Sequence, residues 1–264
     1  RIKIKNIEKY KEDLSRRLDP SMNIMQGINA QIKKSQKRVV FAEGEDPSIL
    51  KAAVAFKNSK LGIPILIGKE ERVKEQLKNI GLDENFNIKI VSSKNTEQRE
   101  KYTKYLYKKL QRSGMLEREC DYLVRNDRVT WGSCMVGCGD ADAMVTGGTR
   151  HHAATIEKLN KVVDSRPGEI IFGLTMLVSK GRTVFVADTN VHDNPTAEQL
   201  VEIAISSTRV ARLFGFDPKV AFLSHSTFGK PATVRTKHVR EAIELMKSKK
   251  IDFDYDGEMQ PDVA

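Results

Sequence analysis

From Lys37 onward the chain alternates short apolar runs with stretches whose apolar residues recur at helical spacing. Residues 37–42 read as a strand, and Pro47 suits the first turn of a helix that runs to about residue 60. A strand at 63–67 is followed by a helix at 70–79, closed by Gly81. A strand at 86–91, a helix at 96–112 closed by Gly114, and helices at 116–124 and 129–137 complete the series. Such alternation restricts the fold to a mostly parallel sheet covered by helices on both faces.

The next segment, GDADAMVTGGTR at 139–150, is a short apolar strand (141–145) that ends in Gly147 and Gly148. Glycines let backbone approach a ligand closely. Thr149 then offers a cap for an amphipathic helix running to residue 163. A strand feeding a glycine turn and a helix start is a generic anion site, although the spacing is neither GxGxxG nor a P-loop. An ordinary tight turn fits the pattern equally well.

Beyond it the pattern changes. A long strand at 169–179, a tight turn at 180–182 and a returning strand at 183–187 predict a hairpin, hence a mixed sheet in the second half. A helix opens at Pro195-Thr196-Ala197-Glu198 and reaches residue 214, where Gly215 closes it. The strand at 219–223 runs into Ser224-His225-Ser226-Thr227-Phe228-Gly229-Lys230-Pro231, and a helix at 235–249 and a strand at 253–256 follow. The expected organisation is a linker with leading helices at 1–36, which include a helix at 22–34, a first α/β subdomain at 37–148 and a second at 149–264. The chain opens on Arg1 and stops just past a strand, so further sequence is expected beyond Ala264.

The net charge of +10 raises the question of nucleic acid, but acids and bases are interspersed and aromatics make up only 6%. No apolar run is long enough for a bilayer and no signal peptide opens the chain, so a cytoplasmic protein is expected. Cys120, Cys134 and Cys138 form no CxxC pair and suit buried thiols in a reducing compartment. No metal site is expected: Cys134 and Cys138 supply only two ligands, and the adjacent His151 and His152 point apart.

Two turns remain as candidate sites. Gly147, Gly148, Thr149 and Arg150 form one; Ser224, Ser226, Thr227 and Lys230, at the end of another strand, form the second. Hydroxyls, backbone N–H groups and cations at strand ends suit phosphate or pyrophosphate. The competing reading is two surface turns whose hydroxyls bond their own backbone. Ser-His neighbours at 224–226 do not make a triad, because no GxSxG elbow is present. Asp140 and Asp142 share one side of a strand and offer two carboxylates for acid–base work, or turn residues.

Five stretches taken together, VVFAEGED, GDADAMVTGGTR, HDNPTAEQLVEIAI, FLSHSTFGKP and DYDGEMQPDVA, resemble phosphotransacetylases. More closely, the chain resembles the phosphotransacetylase-like C-terminal domain of bacterial hybrid NADP-dependent malic enzymes, and its opening RIKIKNIEKYKEDLSRRL resembles the linker that leaves a malic enzyme domain. The resemblance implies two α/β subdomains around a ligand cleft, as in isocitrate and isopropylmalate dehydrogenases, and a homodimer. It implies acetyl-CoA or CoA as ligand, met by the two turns above, and regulation of a malic enzyme domain in the same chain. NADP and a divalent metal would belong to that other domain. The alternative it carries is an active phosphate acetyltransferase. In active members the base is an aspartate after a Ser-Arg-Gly motif, beyond the point where this chain stops, so no catalytic residue is assigned. Glu157 stands where those members carry an arginine.

Overall fold

The computed structural model describes residues 31–81, 88–179, 182–228 and 233–264, together with residues 10, 28 and 29. Among the described residues two compact units stand out, Asn29–Asp164 and Ser165–Ala264.

In the first unit, β1 (Lys37–Phe41), β2 (Gly62–Ile67), β3 (Lys89–Val91) and β4 (Ala143–Val145) form one sheet in the order β3-β2-β1-β4. Every pairing in it is parallel. Side chains alternate across a strand, so neighbouring β1 residues enter different cores. Phe41 packs with Leu66 against α1 (Pro47–Asn58) and α2 (Glu70–Asn79), through Leu50, Ala53, Val73 and Leu77. Val40, Ile65 and Ile67 face the opposite layer of α3 (Thr96–Leu110), α4 (Glu117–Asn126) and α5 (Arg128–Gly137). There Trp131 and Tyr102 meet edge to face, with centroids 4.9 Å apart.

Capping explains where the helices begin and end. Asp46 accepts the amides of Ser48 and Ile49 ahead of Pro47, and Asn95 accepts that of Gln98. Gly81 and Gly114 take positive φ just past their helices, as expected. Helix α6 (His152–Val162) sets the unit's boundary. Val162 is buried in the same core as α3 and α5, and its carbonyl accepts Lys109 Nζ at 2.7 Å. The units divide after α6, between Asp164 and Ser165.

In the second unit, β5 (Leu174–Ser179) and β6 (Arg182–Ala187) form the expected antiparallel hairpin, whose turn residues 180–181 lie outside the described residues. The long strand expected from residue 169 begins only at Leu174. Gly173 lies so close to the Thr189 carbonyl that no Cβ fits, and its N–H goes to Asp188 Oδ1 at 2.6 Å. Helices α7 (Ala197–Leu213) and α8 (Val234–Ser248) pack with β7 (Val220–Leu223) and β8 (Tyr255–Met259) around Val201, Phe222, Ala242 and Met246. Strands β7 and β8 pair in parallel, apart from the hairpin, so the described residues form two two-stranded sheets in place of one mixed sheet.

Candidate functional site

All four strands of the first unit run parallel, so the loops leaving them gather at one edge of the sheet. The chain leaves β1 toward β2 and β3 on one side and returns to pair β4 on the other. The crevice between β1 and β4 is thus a switch point, where open α/β sheets bind ligands.

Glu43 fills that crevice. It is 3% exposed, and its Oε1 accepts the Thr146 hydroxyl at 3.0 Å and the Gly147 N–H at 3.1 Å. Its Oε2 is buried without a hydrogen-bond partner among the described residues. Gly147 has φ +107°, and a Cβ on Gly148 would come within 2.9 Å of Ile49. The turn therefore forms as expected, but one of its amides is already held by a carboxylate.

Gly147, Gly148, Thr149 and Arg150 are all exposed. Thr149 does not cap the helix: His151 occupies the N-cap of α6, with no side-chain cap bond. Arg150 is drawn instead to Asp127, Nη1 to Oδ2 at 2.8 Å. Lys158 of α6 reaches the same oxygen, while Oδ1 accepts the Val129 and Thr130 amides at the start of α5. Burial pushes the Asp127 carboxyl up. The hydrogen bonds from Lys158, the Thr130 amide and Arg150 outweigh it and hold the group below the ordinary carboxylate range. Arg150 keeps Nε and Nη2 clear of any other bond among the described residues.

The two aspartates before β4 lie at the opposite end of the sheet. Asp142 grips Arg38, with Nη2 2.9 Å from Oδ1 and Nε 3.1 Å from Oδ2. These hydrogen bonds hold its carboxyl at about 2. Asp140 takes Lys101 Nζ and the Tyr102 hydroxyl, each at 2.8 Å. Both are structural ties, so the acid–base possibility for this pair is corrected. His151 and His152 are exposed, and no group of three or more potential metal ligands occurs among the described residues.

The second candidate turn belongs to the other unit. Ser226 is 1% exposed, and its hydroxyl donates to Glu258 Oε1, on β8. Thr227 Oγ1 accepts the Gln260 N–H at 3.3 Å, and Ser224 Oγ accepts that of Ser226 at 3.2 Å. The Ser226 and Thr227 hydroxyls tie β7 to β8, and the Ser224 hydroxyl donates to Ser226 Oγ at 3.4 Å, because the Ser226 proton goes to Glu258; Thr227 keeps its own O–H donor. Lys230 lies outside the described residues.

Sequence reasoning passed over a dyad in the Asp188–His192 loop. The carboxylate of Asp188 accepts the His192 backbone N–H at 2.8 Å and its Nδ1–H at 2.6 Å. The signal was an Asp-to-His spacing of four in a polar loop, which carries no weight without the fold.

Parallel order with helices on both faces of the sheet makes the first unit an α/β fold of the doubly wound class. The description "Phosphate acetyl/butaryl transferase" matches residues 23–264, and the chain belongs to that family. It is 40% identical over 262 residues to an NADP-dependent malic enzyme of Rhizobium meliloti, covering 99% of this chain and 34% of that protein. It is 32% identical over 234 residues to a phosphate acetyltransferase of Nitratidesulfovibrio vulgaris, covering 88% of this chain and 33% of that one. The chain thus spans about a third of the length of these curated relatives. A phosphotransacetylase of Streptococcus pyogenes superposes with a TM-score of 0.80 at 27% identity, over 90% of this chain and 73% of that one.

Proposed function

We propose that this chain is the acetyl-CoA- or CoA-binding regulatory part of an NADP-dependent malic enzyme. Malate would be oxidatively decarboxylated to pyruvate in another domain of the same protein. The observation that carries this reading is the relation to malic enzymes over 99% of this chain but only 34% of the relative's length. Two ligands with a coupling free energy between separate sites constitute allostery. Gly147, Gly148, Thr149 and Arg150, with Ser224, Ser226, Thr227 and Lys230, are the proposed contacts to the CoA phosphates. Supporting this are the unengaged Nε and Nη2 of Arg150 and the spare hydroxyl proton of Thr227. No helix among the described residues is long and apolar enough to cross a membrane, in keeping with the cytoplasmic setting proposed here.

Acetyl-CoA is expected to raise the melting temperature by mass action. A thermal-shift titration tests this, and no shift at millimolar acetyl-CoA refutes the reading. Arg150→Ala is expected to weaken acetyl-CoA inhibition of malate turnover by about tenfold or more, since a hydrogen bond to a charged group contributes about 1.5–3 kcal/mol. Unaltered inhibition curves would remove Arg150 from the site.

A homodimer formed through this domain is part of the same proposal. Its support is the hairpin, where Leu177 and Val184 stand directly opposite each other and are each 53% exposed. Leu177→Lys is expected to dissociate the dimer in sedimentation velocity.

The relation to a phosphate acetyltransferase keeps a second reading in play. In it the CoA thiol loses its proton to a base, and the thiolate takes the acetyl group from acetyl phosphate with release of phosphate. Glu157, at the position of the family's arginine, is paired with Lys161 at 2.8 Å. Thioester formation from acetyl phosphate and CoA well above the uncatalysed rate would favour this reading.

A further inference from the structure

The loops leaving β2 and β3 enclose a cavity of about 240 Å³ that the reading above does not use. Ile67, Val124 and Trp131 form its apolar floor, while Lys69, Lys94, Arg125 and Arg128 bring positive charge to its rim. Both carboxylates in its wall are engaged elsewhere. Glu45 accepts Arg128 at 2.9 Å, Arg72 at 3.3 Å and the Lys69 amide at 2.8 Å. Asp127 is held by Arg150 and Lys158. The ammonium groups of Lys69 and Lys94 have no acidic partner among the described residues.

Most of the other polar groups there are donors, the exposed Asn126 amide, which also carries an acceptor oxygen, excepted. Ser92 Oγ accepts the Lys94 N–H at 3.3 Å, which leaves its own O–H to donate, and Ser93 stands beside it. Trp131 is 1% exposed, and its buried indole N–H meets no acceptor among the described residues. Native interiors rarely leave a buried donor unpaired. A cavity whose free groups are chiefly ammonium and hydroxyl donors calls for a ligand rich in acceptors and in negative charge.

We propose that this cavity binds a phosphate monoester, its dianionic head between Lys69 and Lys94 and within reach of the Ser92 and Ser93 hydroxyls. Lysine acts on phosphate as a point charge and needs no fixed plane, which suits the flexible rim. The organic part of the ester lies on the apolar floor. None of Gly147 to Arg150 lines this cavity; Asp127, in its wall, is the residue with which Arg150 pairs.

Trp131 is the single tryptophan of the chain, so its emission reports on the cavity floor. The 264-residue chain would be titrated with inorganic phosphate and with glycerol 3-phosphate at constant ionic strength, with succinate and CoA in parallel. The phosphate probes are expected to give a saturable change that succinate does not, with a half-saturation raised about tenfold or more in Lys69→Ala/Lys94→Ala. No saturable change, an equal response to succinate, or indifference to the lysine variant would overturn the proposal. Loss of the phosphate response with the CoA thermal shift retained rejects this cavity alone and leaves the CoA reading standing.

Discussion

Asp127 shows how much can hang on one carboxylate. It closes the N-terminus of α5 through two backbone amides and fastens Arg150 and Lys158, which come from the segment beyond β4. Asp127→Ala is expected to cost about 1–2 kcal/mol from the lost cap. Asp127→Asn keeps the cap acceptor and removes only the ion pairs, each about a third exposed on the cationic side, so it is expected to cost under about 1 kcal/mol. The pH dependence has a defined sign. A carboxyl whose folded pKa is depressed contributes stability above its unfolded value, near 3.9, and loses it as pH falls through the folded one. Urea midpoints measured from pH 7 to pH 2 should show this acid limb in the parent chain and a flatter one in Asp127→Asn. Identical limbs would mean that Asp127 is not held in its charged form. Sequence placed helices on either side of Asp127, yet gave no hint of its partners, which lie 23 and 31 positions on. Thr149 was misjudged as a cap for the same reason, because the pull of Asp127 on Arg150 is a tertiary fact.

At the level of elements, the sheet and its helices were legible because periodicity and capping are local. Strands β1 and β2 and helices α1 to α5 fall where the apolar spacing and the closing glycines put them. What escaped was set by contacts between elements. Gly132 illustrates such a contact: a Cβ there would meet Met144 Sδ at 2.5 Å and Ile67 Cδ1 at 3.1 Å, so the glycine lets α5 lie close on the sheet. Gly132→Ala should raise intrinsic helix propensity by about 1 kcal/mol, yet overpacking of about 1–3 kcal/mol opposes it. A net loss of stability in urea is expected; a gain would mean that Met144 moves aside freely. The hydroxyls at 224–227 were read correctly as strand-end groups. Their use in tying β7 to β8 was hidden, because Glu258 and Gln260 lie more than thirty residues away.

At the scale of the molecule, the division after α6 gives each unit its own core: Trp131 and Leu50 lie in clusters of the first, Phe222 and Met246 in the second. The 29–164 segment expressed alone is therefore expected to keep a cooperative Trp131 emission transition, close to its midpoint in the whole chain. A broad or absent transition would show that its core depends on the rest. The order β3-β2-β1-β4 has a consequence in time as well as in space. Strand β1 can pair with β2 soon after both emerge from a ribosome, but its other edge waits for β4, and the Arg38–Asp142 clasp spans 104 positions. At about 5–20 residues per second, that edge stays open for roughly 5–20 seconds in every round of translation. During that interval the unpaired backbone of β1 is open to whatever strand passes.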